Sequence, residues 1–222
     1  MKYMISTMLV LLMSAQSQAI SWDVYYSGNT LPNDASLGNS VWTSYYKNDL
    51  SGCSVQDGVL HLSDPSTTAT AVFFRDGMLP AGTPITLETR VRVLSGTSPA
   101  TVEISTPRSG LGLELWADMI TSGPTSWPVD MTEFHTIRMA MNSDNQYWVW
   151  LDGAQILSGT SISGSQTGMI FGSSMFPQGT ADSYWDYVAY SKQFLPVPEP
   201  SSLLALLAGL GGLGAMLRRR RG

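Results

Sequence analysis

Residues 85–93 alternate between apolar and polar side chains without interruption. Because successive side chains of a strand point to opposite faces, this pattern separates an apolar face from a charged one. The apolar face would carry Ile85, Leu87, Thr89, Val91 and Val93. A strand with one buried face and one face in water is typical of an antiparallel sheet. The segment therefore favours a fold built from such sheets.

Further short segments with apolar and β-branched residues follow one another along the chain, separated by clusters of Gly, Pro, Asn, Asp and Ser. They are residues 59–62, 71–74, 101–105, 111–117, 134–141, 147–151, 154–157 and 184–191. No stretch before Pro196 has a convincing amphipathic helical pattern. Many short strands at this spacing predict an all-β fold, a two-sheet antiparallel sandwich of the jelly-roll kind.

The strongest local pattern lies in residues 134–157, which predict a strand, a polar turn, a strand, the turn Asp152-Gly153 and a further strand. Asp-Gly between apolar runs indicates a tight turn, because glycine tolerates a positive φ. Together with the closing run 183–190, this block resembles the concanavalin A-like lectin/glucanase superfamily, particularly its laminin-G-like members. The resemblance implies a two-sheet jelly roll that is often glycan-binding and sometimes hydrolytic.

The C-terminus carries three elements in a fixed order. The step Pro198-Glu199-Pro200 precedes an apolar run, residues 203–217, that contains only Leu, Ala, Gly and Met. The run is followed by Arg218, Arg219, Arg220 and Arg221. As a helix, residues 201–217 would span roughly 25 Å, close to the hydrocarbon thickness of a bilayer. Positive charge is retained in the cytoplasm, so the pattern predicts a transmembrane helix with the rest of the chain outside.

This tail, residues 196–222, resembles the PEP-CTERM sorting signal of exosortase substrates in Gram-negative-type bacteria. The resemblance implies export, transient anchoring in the inner membrane and cleavage near Pro198-Glu199-Pro200 by an exosortase, a membrane cysteine protease. Such proteins usually accompany exopolysaccharide production and biofilm matrix. The implied location is the cell surface or the extracellular matrix.

The N-terminus agrees with export. Residues 1–19 combine Lys2, an apolar stretch and the small-residue site Ser17-Gln18-Ala19. This arrangement predicts a secretory signal peptide, with the mature protein beginning near Ile20. Residues 20–195 remain as one domain, long enough to bury a core of its own.

The charge of that domain limits its partners. The 12 basic and 17 acidic residues of the chain become 7 and 16 without Lys2, the four terminal arginines and Glu199, which gives a net charge of −9. An acidic domain repels phosphates, so we exclude nucleic acid as a partner. Bulk charge also disfavours a polyanionic polysaccharide, and neutral glycan or calcium-bridged acidic glycan fits better.

Catalytic motifs are missing from the sequence. Glycosidases of this superfamily carry carboxylates close together on one strand, roughly Glu-x-Asp-x-x-Glu, whereas Glu88 and Glu103 have no such partner. The nearest pair, Glu114 and Asp118, would lie about 13 Å apart along a strand, too far for glycosidase chemistry. Cys53, the one cysteine, is expected to be a buried small residue, with an intermolecular disulfide left open.

The sequence therefore favours a non-catalytic domain. A divergent glycoside hydrolase or lyase and a structural surface protein without a ligand are the alternatives.

A binding surface is suggested by Trp148 and Trp150, which share one face of a strand. Arg138 on the neighbouring strand would lie on the same face if Ile137 and Met139 are core. These three residues form a candidate glycan platform, since sugars stack on aromatic rings. The alternative is that the sandwich or a long loop covers this face. Trp116 and Trp127 are second-choice contacts.

A structural calcium ion is a weaker expectation, because jelly rolls of this type often bind one through oxygen ligands. Asp186, with Asp23 or Asp57 near it, would supply some of the ligands.

Overall fold

The structure is a computed structural model and describes residues 20–44, 49–64, 70–75, 79–107, 109–161, 168–173 and 179–197. The predicted signal peptide and residues 198–222, with the predicted membrane span 201–217, lie outside these ranges. Within them, no helix combines the length and apolar character needed to cross a membrane.

The described residues form two antiparallel sheets and one short 3₁₀ segment, Ala35–Ser40. The eight-stranded sheet contains β1 (Val24–Tyr26), β3 (Cys53–Gln56), β4 (Val59–Asp64), β6 (Ile85–Gly96), β11 (His135–Met141), β12 (Gln146–Leu151), β13 (Ala154–Thr160) and β15 (Ala181–Ser191). The seven-stranded sheet contains β2 (Thr43–Ser44), β5 (Val72–Arg75), β7 (Ala100–Thr106), β8 (Ser109–Leu115), β9 (Met119–Ser122), β10 (Thr125–Pro128) and β14 (Gly168–Gly172).

The strand order of the first sheet is β13-β12-β11-β6-β15-β4-β3, and β1 pairs with the end of β15. The order of the second sheet is β10-β9-β8-β7-β14-β5-β2. One hydrophobic cluster contains inward-facing side chains of both sheets. The two sheets therefore enclose a common core, which confirms the predicted all-β sandwich.

The core follows the alternation of the sequence. On β6, the five side chains predicted to face inward are buried, and the charged residues between them are only partly buried. Ile137 and Met139 of β11 are fully buried, as expected. At the centre, Phe171 of β14 contacts Trp42 edge-on, with ring centroids 4.8 Å apart, and Trp185 of β15 at 5.1 Å. These aromatic contacts join the two sheets.

Every segment predicted as a strand contains one, with small differences at the ends. The predicted strand 111–117 ends at Leu115, because the Trp116 N–H turns to bond the Met119 carbonyl at 2.9 Å. The sequence did not predict β14, whose five residues are all buried and show no alternation. Gly172 ends this strand at φ 145°, and a Cβ there would collide with the Ala71 carbonyl oxygen.

Candidate functional site

The predicted platform residues lie together on the outer face of the eight-stranded sheet. In the strand register, Arg138 of β11 is opposite Trp150 of β12 on one side and Glu88 of β6 on the other. Trp148 lies opposite Ala140, two residues further along the same face. Val149, between the tryptophans, is fully buried in the core. The face assignment made from the sequence agrees with this arrangement.

Residues 192–197, which we call the strap, cross this outer face after β15. The strap is held mainly through its backbone. The Thr86 hydroxyl donates to the Gln193 carbonyl at 2.7 Å and accepts from the Leu195 N–H at 2.9 Å. At the start of the strap, the Lys192 N–H donates to the Asp23 carboxylate at 2.6 Å. Thr86 is consequently fully buried although it faces away from the core.

The strap changes what the platform can offer. Phe194 packs on Trp148, with ring centroids 4.9 Å apart, and Trp150 is only 4% exposed. Arg138 is 9% exposed and also lies over the Trp22 ring, 5.8 Å from its centroid. The two indoles therefore do not form the open flat surface that the strand pattern predicts. The segment that covers them has no periodic pattern of its own.

A cavity of about 440 Å³ remains beside the strap. It is lined by Glu88, Thr136, Arg138, Trp150, Asp152, Gly153 and Val197. This volume lies within the range of about 300–1,000 Å³ that is typical of small-molecule sites. The cavity thus combines an indole, charged groups and a wall formed by the strap itself.

Arg138 is fixed by a buried ion pair. Its Nε and Nη2 atoms contact the same Glu88 carboxylate oxygen at 2.6 and 2.5 Å. The Tyr187 hydroxyl donates to the other oxygen of Glu88 at 2.8 Å. Burial and the Glu88 charge raise the pKa of Tyr187, so its hydroxyl stays protonated and remains a donor. The arginine side chain is therefore held in one orientation at the cavity wall.

His135 bonds Asp152, one of the residues that line the cavity. Its Nδ1 lies 2.6 Å from the Asp152 carboxylate and its Nε2 lies 2.9 Å from the Asp130 carbonyl oxygen. Both partners are acceptors, so the geometry suits the imidazolium form, which donates from both nitrogens. Burial alone lowers the pKa of His135, but the bonds and charges of Asp152 and Asp130 outweigh it and raise the pKa.

The second-choice tryptophans belong to the other sheet. Trp127 lies in β10 opposite Ile120 and packs partly against the core. Trp116 follows directly after β8 and is half-buried. The structure therefore does not bring these two residues to the cavity beside Trp150.

The aspartates considered for calcium have separate partners. Asp186 pairs with Arg90 at 2.6 Å, and Asp23 accepts from the strap. Asp57 is exposed in the turn between β3 and β4, at φ 53°. Across the described ranges, no group of three or more His, Cys, Asp or Glu side chains has the arrangement of a metal site.

Cys53 lies in the edge strand β3 and is half-buried against the core. It is therefore more accessible than the buried small residue that the sequence predicts.

Two glutamates meet on the outer face of the seven-stranded sheet. Glu103 of β7 is opposite Gly112 of β8, and Glu114 is opposite Thr101, so the glutamates are diagonal neighbours. Diagonal neighbours in a sheet have Cα atoms about 7–8 Å apart. Burial raises the pKa of Glu103, while Glu114 is exposed. The spacing of acids within one strand does not reveal this pair, because the two glutamates become neighbours only through the register of β7 and β8.

Comparison with known proteins supports both parts of the chain. Residues 196–221 match the family model described as the PEP-CTERM protein-sorting motif. This match confirms the resemblance inferred from the tail and identifies a sorting signal for export to the cell surface. A comparison with curated proteins finds no significant match.

Solved structures share the sandwich fold at low identity. A structure titled native glycosidic hydrolase matches with a TM-score of 0.56 and 12% identity, covering 80% of this chain and 100% of that chain. A structure from a study of endo-acting O-glycanases of human gut microbiota matches with a TM-score of 0.55 and 14% identity. The match covers 77% of this chain and 98% of that chain. The carbohydrate recognition domain of Emp46p matches with a TM-score of 0.52 and 14% identity. The match covers 79% of this chain and 100% of that chain. These similarities show that the chain shares the two-sheet β-sandwich fold of these proteins.

Proposed function

We propose that this chain is an exported surface or matrix protein, processed by an exosortase, whose sandwich binds glycan without catalysing a reaction. The sorting motif at residues 196–221 supports the location and the processing. Cleavage near Pro198-Glu199-Pro200 would remove the apolar run and its arginines and leave the sandwich outside the cell. The sandwich would then contact exopolysaccharide of the matrix.

The observation that carries the binding proposal is the cavity beside Trp150. An indole supplies an apolar surface for the C–H face of a sugar ring, and fixed polar groups orient its hydroxyls. Arg138 is a fixed donor, and Asp152 is an acceptor at the cavity edge. The carbohydrate recognition domain and the glycanase-type neighbours share this fold, which is compatible with the proposal.

The strap sets a condition for binding of a long glycan. Phe194 covers Trp148, so a polysaccharide chain could reach both indoles only after the strap moves. A short glycan end could enter the cavity beside Trp150 with the strap in place. The proposal therefore predicts tighter retention when the strap contact is weakened.

Retention on matrix polysaccharide tests the proposal. We expect the double variant Trp148→Ala/Trp150→Ala to lose retention and Phe194→Ala to gain it. The variant Trp116→Ala/Trp127→Ala is the matched control, because it removes two tryptophans from the other sheet. Retention of the Trp148/Trp150 variant at the wild-type level would rule out this site. Loss only in the control variant would move binding to the seven-stranded sheet.

A divergent glycoside hydrolase is the second candidate, favoured by Glu103 and Glu114. A partly buried acid with a raised pKa beside an exposed carboxylate is the arrangement that glycosidases use for a general acid and its partner. Release of reducing sugar from the same polysaccharide tests this candidate. Release that is abolished by Glu103→Gln and by Glu114→Gln would replace the non-catalytic proposal, whereas no release by the wild-type protein supports it.

A further inference from the structure

A row of five side chains crosses the outer face of the eight-stranded sheet, away from the strap. We call it the aromatic–arginine row, and in spatial order it contains His61, Tyr184, Arg92, Phe134 and Arg90. His61 stacks on Tyr184 with centroids 4.3 Å apart and planes at 12°. The Arg92 guanidinium lies 4.3 Å from the Tyr184 ring centroid and 4.9 Å from that of Phe134. Arg90 lies over the Phe134 ring at 4.7 Å.

Both ends of the row bond a carboxylate. His61 Nε2 contacts the Asp182 carboxylate at 2.7 Å, and Arg90 contacts the Asp186 carboxylate at 2.6 Å. Gln56 Nε2 lies 3.0 Å from His61 Nδ1 and can only donate, so His61 presents its Nε2 proton to Asp182. The Arg90 charge at one end of the row is therefore already paired with a carboxylate.

Arg92, in the middle, is different. The side chains of Arg75, Arg90 and Arg138 each bond protein oxygens. In the part of the chain that the structure describes, the side chain of Arg92 has no hydrogen bond or ion pair. Its Nε is buried without an acceptor. Aromatic faces stabilise a guanidinium only weakly. A carboxylate that accepts hydrogen bonds from two of the guanidinium nitrogens stabilises it more strongly. Among the described residues, the Arg92 guanidinium is thus held between two aromatic rings and bonds no carboxylate.

A small pocket opens at this cation. Its volume is about 170 Å³, and it is lined by Gln56, Asp57, Val59, Arg92, Phe134 and Tyr184. The volume is below the range of roughly 300–1,000 Å³ for drug-sized ligands, so the pocket suits a single ring. It shares no lining residue with the larger cavity beside Trp150. It is therefore a separate site.

We propose that this pocket binds one hexuronic acid unit of an acidic glycan. The carboxylate of the sugar would take the two-pronged contact that Arg92 offers, which a planar guanidinium makes best with a planar carboxylate. Asp57 and the Gln56 amide oxygen would accept from the sugar hydroxyls. A bare anion has no hydroxyl for Asp57 and would meet only its repulsion, so a charged sugar fits the pocket better than an isolated carboxylate.

This site would allow residues 20–195, which have a net charge of −9, to bind an acidic glycan. An acidic domain cannot attract a polyanion through its overall field. Arg92, which bonds no carboxylate among the described residues, would provide a short-range contact in this pocket. The inference rests on the proposed function only for the choice of a sugar as the ligand.

Ligand-observed NMR titration of the full-length protein in detergent tests the inference with three small compounds. Methyl glucuronide carries both the ring and the carboxylate, methyl glucoside only the ring, and acetate only the carboxylate. We expect the glucuronide to bind at least about tenfold more tightly than either of the others, because charged hydrogen bonds account for the difference. Equal binding of acetate, or no binding of the glucuronide, overturns the proposal.

Variants locate the contact. Arg92→Gln should weaken glucuronide binding at least about tenfold, and Arg92→Lys should weaken it less, since it keeps the charge but loses the planar fork. Lys192→Gln is the charge-matched control, because it removes one positive charge from an exposed side chain outside the pocket, and it should leave the affinity within about threefold of wild type. Equal affinity of Arg92→Gln and wild type overturns the proposal, provided that melting temperatures show both to be folded.

The outcome is independent of the larger cavity. Glucuronide binding that survives in Trp148→Ala/Trp150→Ala supports a separate pocket. Absence of glucuronide binding, together with polysaccharide retention that depends on the two tryptophans, overturns this inference and leaves the proposed function in place.

Discussion

The ring of Phe194 in the strap packs on the ring of Trp148 in β12, with centroids 4.9 Å apart and planes inclined at 56°. This contact links two parts of the chain that the sequence presents separately. The strap runs directly into the sorting motif that begins at residue 196, and the same strap covers the proposed glycan site. Access to the site and the path of the chain toward the cleavage region are therefore coupled through one short segment.

Phe194→Ala should loosen the strap. An aromatic pair contributes about 0.5–1.5 kcal/mol beyond the area it buries, and we expect a loss of about 1–2 kcal/mol in the free energy of unfolding. Hydrogen exchange at the Leu195 amide, which bonds Thr86, should become faster. Gln193→Ala is the control, because only the backbone of Gln193 bonds the sheet and its side chain is exposed. Equal exchange rates in the two variants would mean that Phe194 does not hold the strap.

The Glu88–Arg138 pair should be sensitive to removal of one partner. Their side chains are only 14% and 10% exposed, so Arg138→Met leaves a buried carboxylate without a counter-charge. We expect destabilisation of about 3–5 kcal/mol in urea unfolding, partly recovered by adding Glu88→Gln. Arg90→Met breaks the more exposed pair with Asp186 and should cost about 0–1 kcal/mol. Similar costs for both single variants would contradict the assigned burial.

His135 should make the stability pH-dependent. Its folded-state pKa is raised above 6.5, so protonation favours the folded protein. This contribution is present in full below pH 6.5 and is lost as the pH rises through the folded-state pKa. Asp152→Asn keeps a residue that tolerates the positive φ at this position but removes the charge, and it should lower the pKa of His135 in an NMR titration. An unchanged pKa of His135 in this variant would show that Asp152 does not stabilise the protonated imidazole.

Glu103 should change the stability with pH in the same direction as His135. Burial raises its pKa, so the fold favours the protonated acid, and that stabilisation is lost as the pH rises through the folded-state pKa. Glu103→Gln should therefore raise the free energy of unfolding at pH 7 and change it little at a pH below 4.5, the ordinary pKa of glutamate. The exposed Glu114→Gln serves as the control. A Glu103→Gln protein that is less stable at pH 7 would mean that the carboxylate has a stabilising partner.

The fold was predictable wherever one strand face is buried and the other is wet. The alternation of residues 85–93 gave β6, and the turn at Asp152-Gly153 gave the hairpin of β12 and β13. The alternation of apolar and polar residues does not predict β14, because both of its faces are buried and no polar residue marks an outer side. The strands β1, β2, β3, β9 and β10, which have two to four residues each, were also not predicted.

The sequence predicts which face of the sheet carries the candidate site residues, but it does not predict how far their side chains are buried. Strand period alone placed Trp148, Trp150 and Arg138 on one side of the sheet. Their burial depends on the strap, which docks through Thr86 and backbone groups that have no sequence signature. The partners of charged residues depend on which strands are neighbours. Glu88 and Arg138 are 50 residues apart in the chain, and only the register of β6 and β11 brings them together.

The central claim is that the sandwich acts outside the cell after its tail has been removed. Fractionation of cells with an antibody to the sandwich, combined with mass spectrometry of the C-terminus, tests it most directly. We predict a product in the surface or matrix fraction that ends near Pro198-Glu199-Pro200 and lacks the four terminal arginines. An intact, uncleaved product in the soluble cytoplasm would contradict the account.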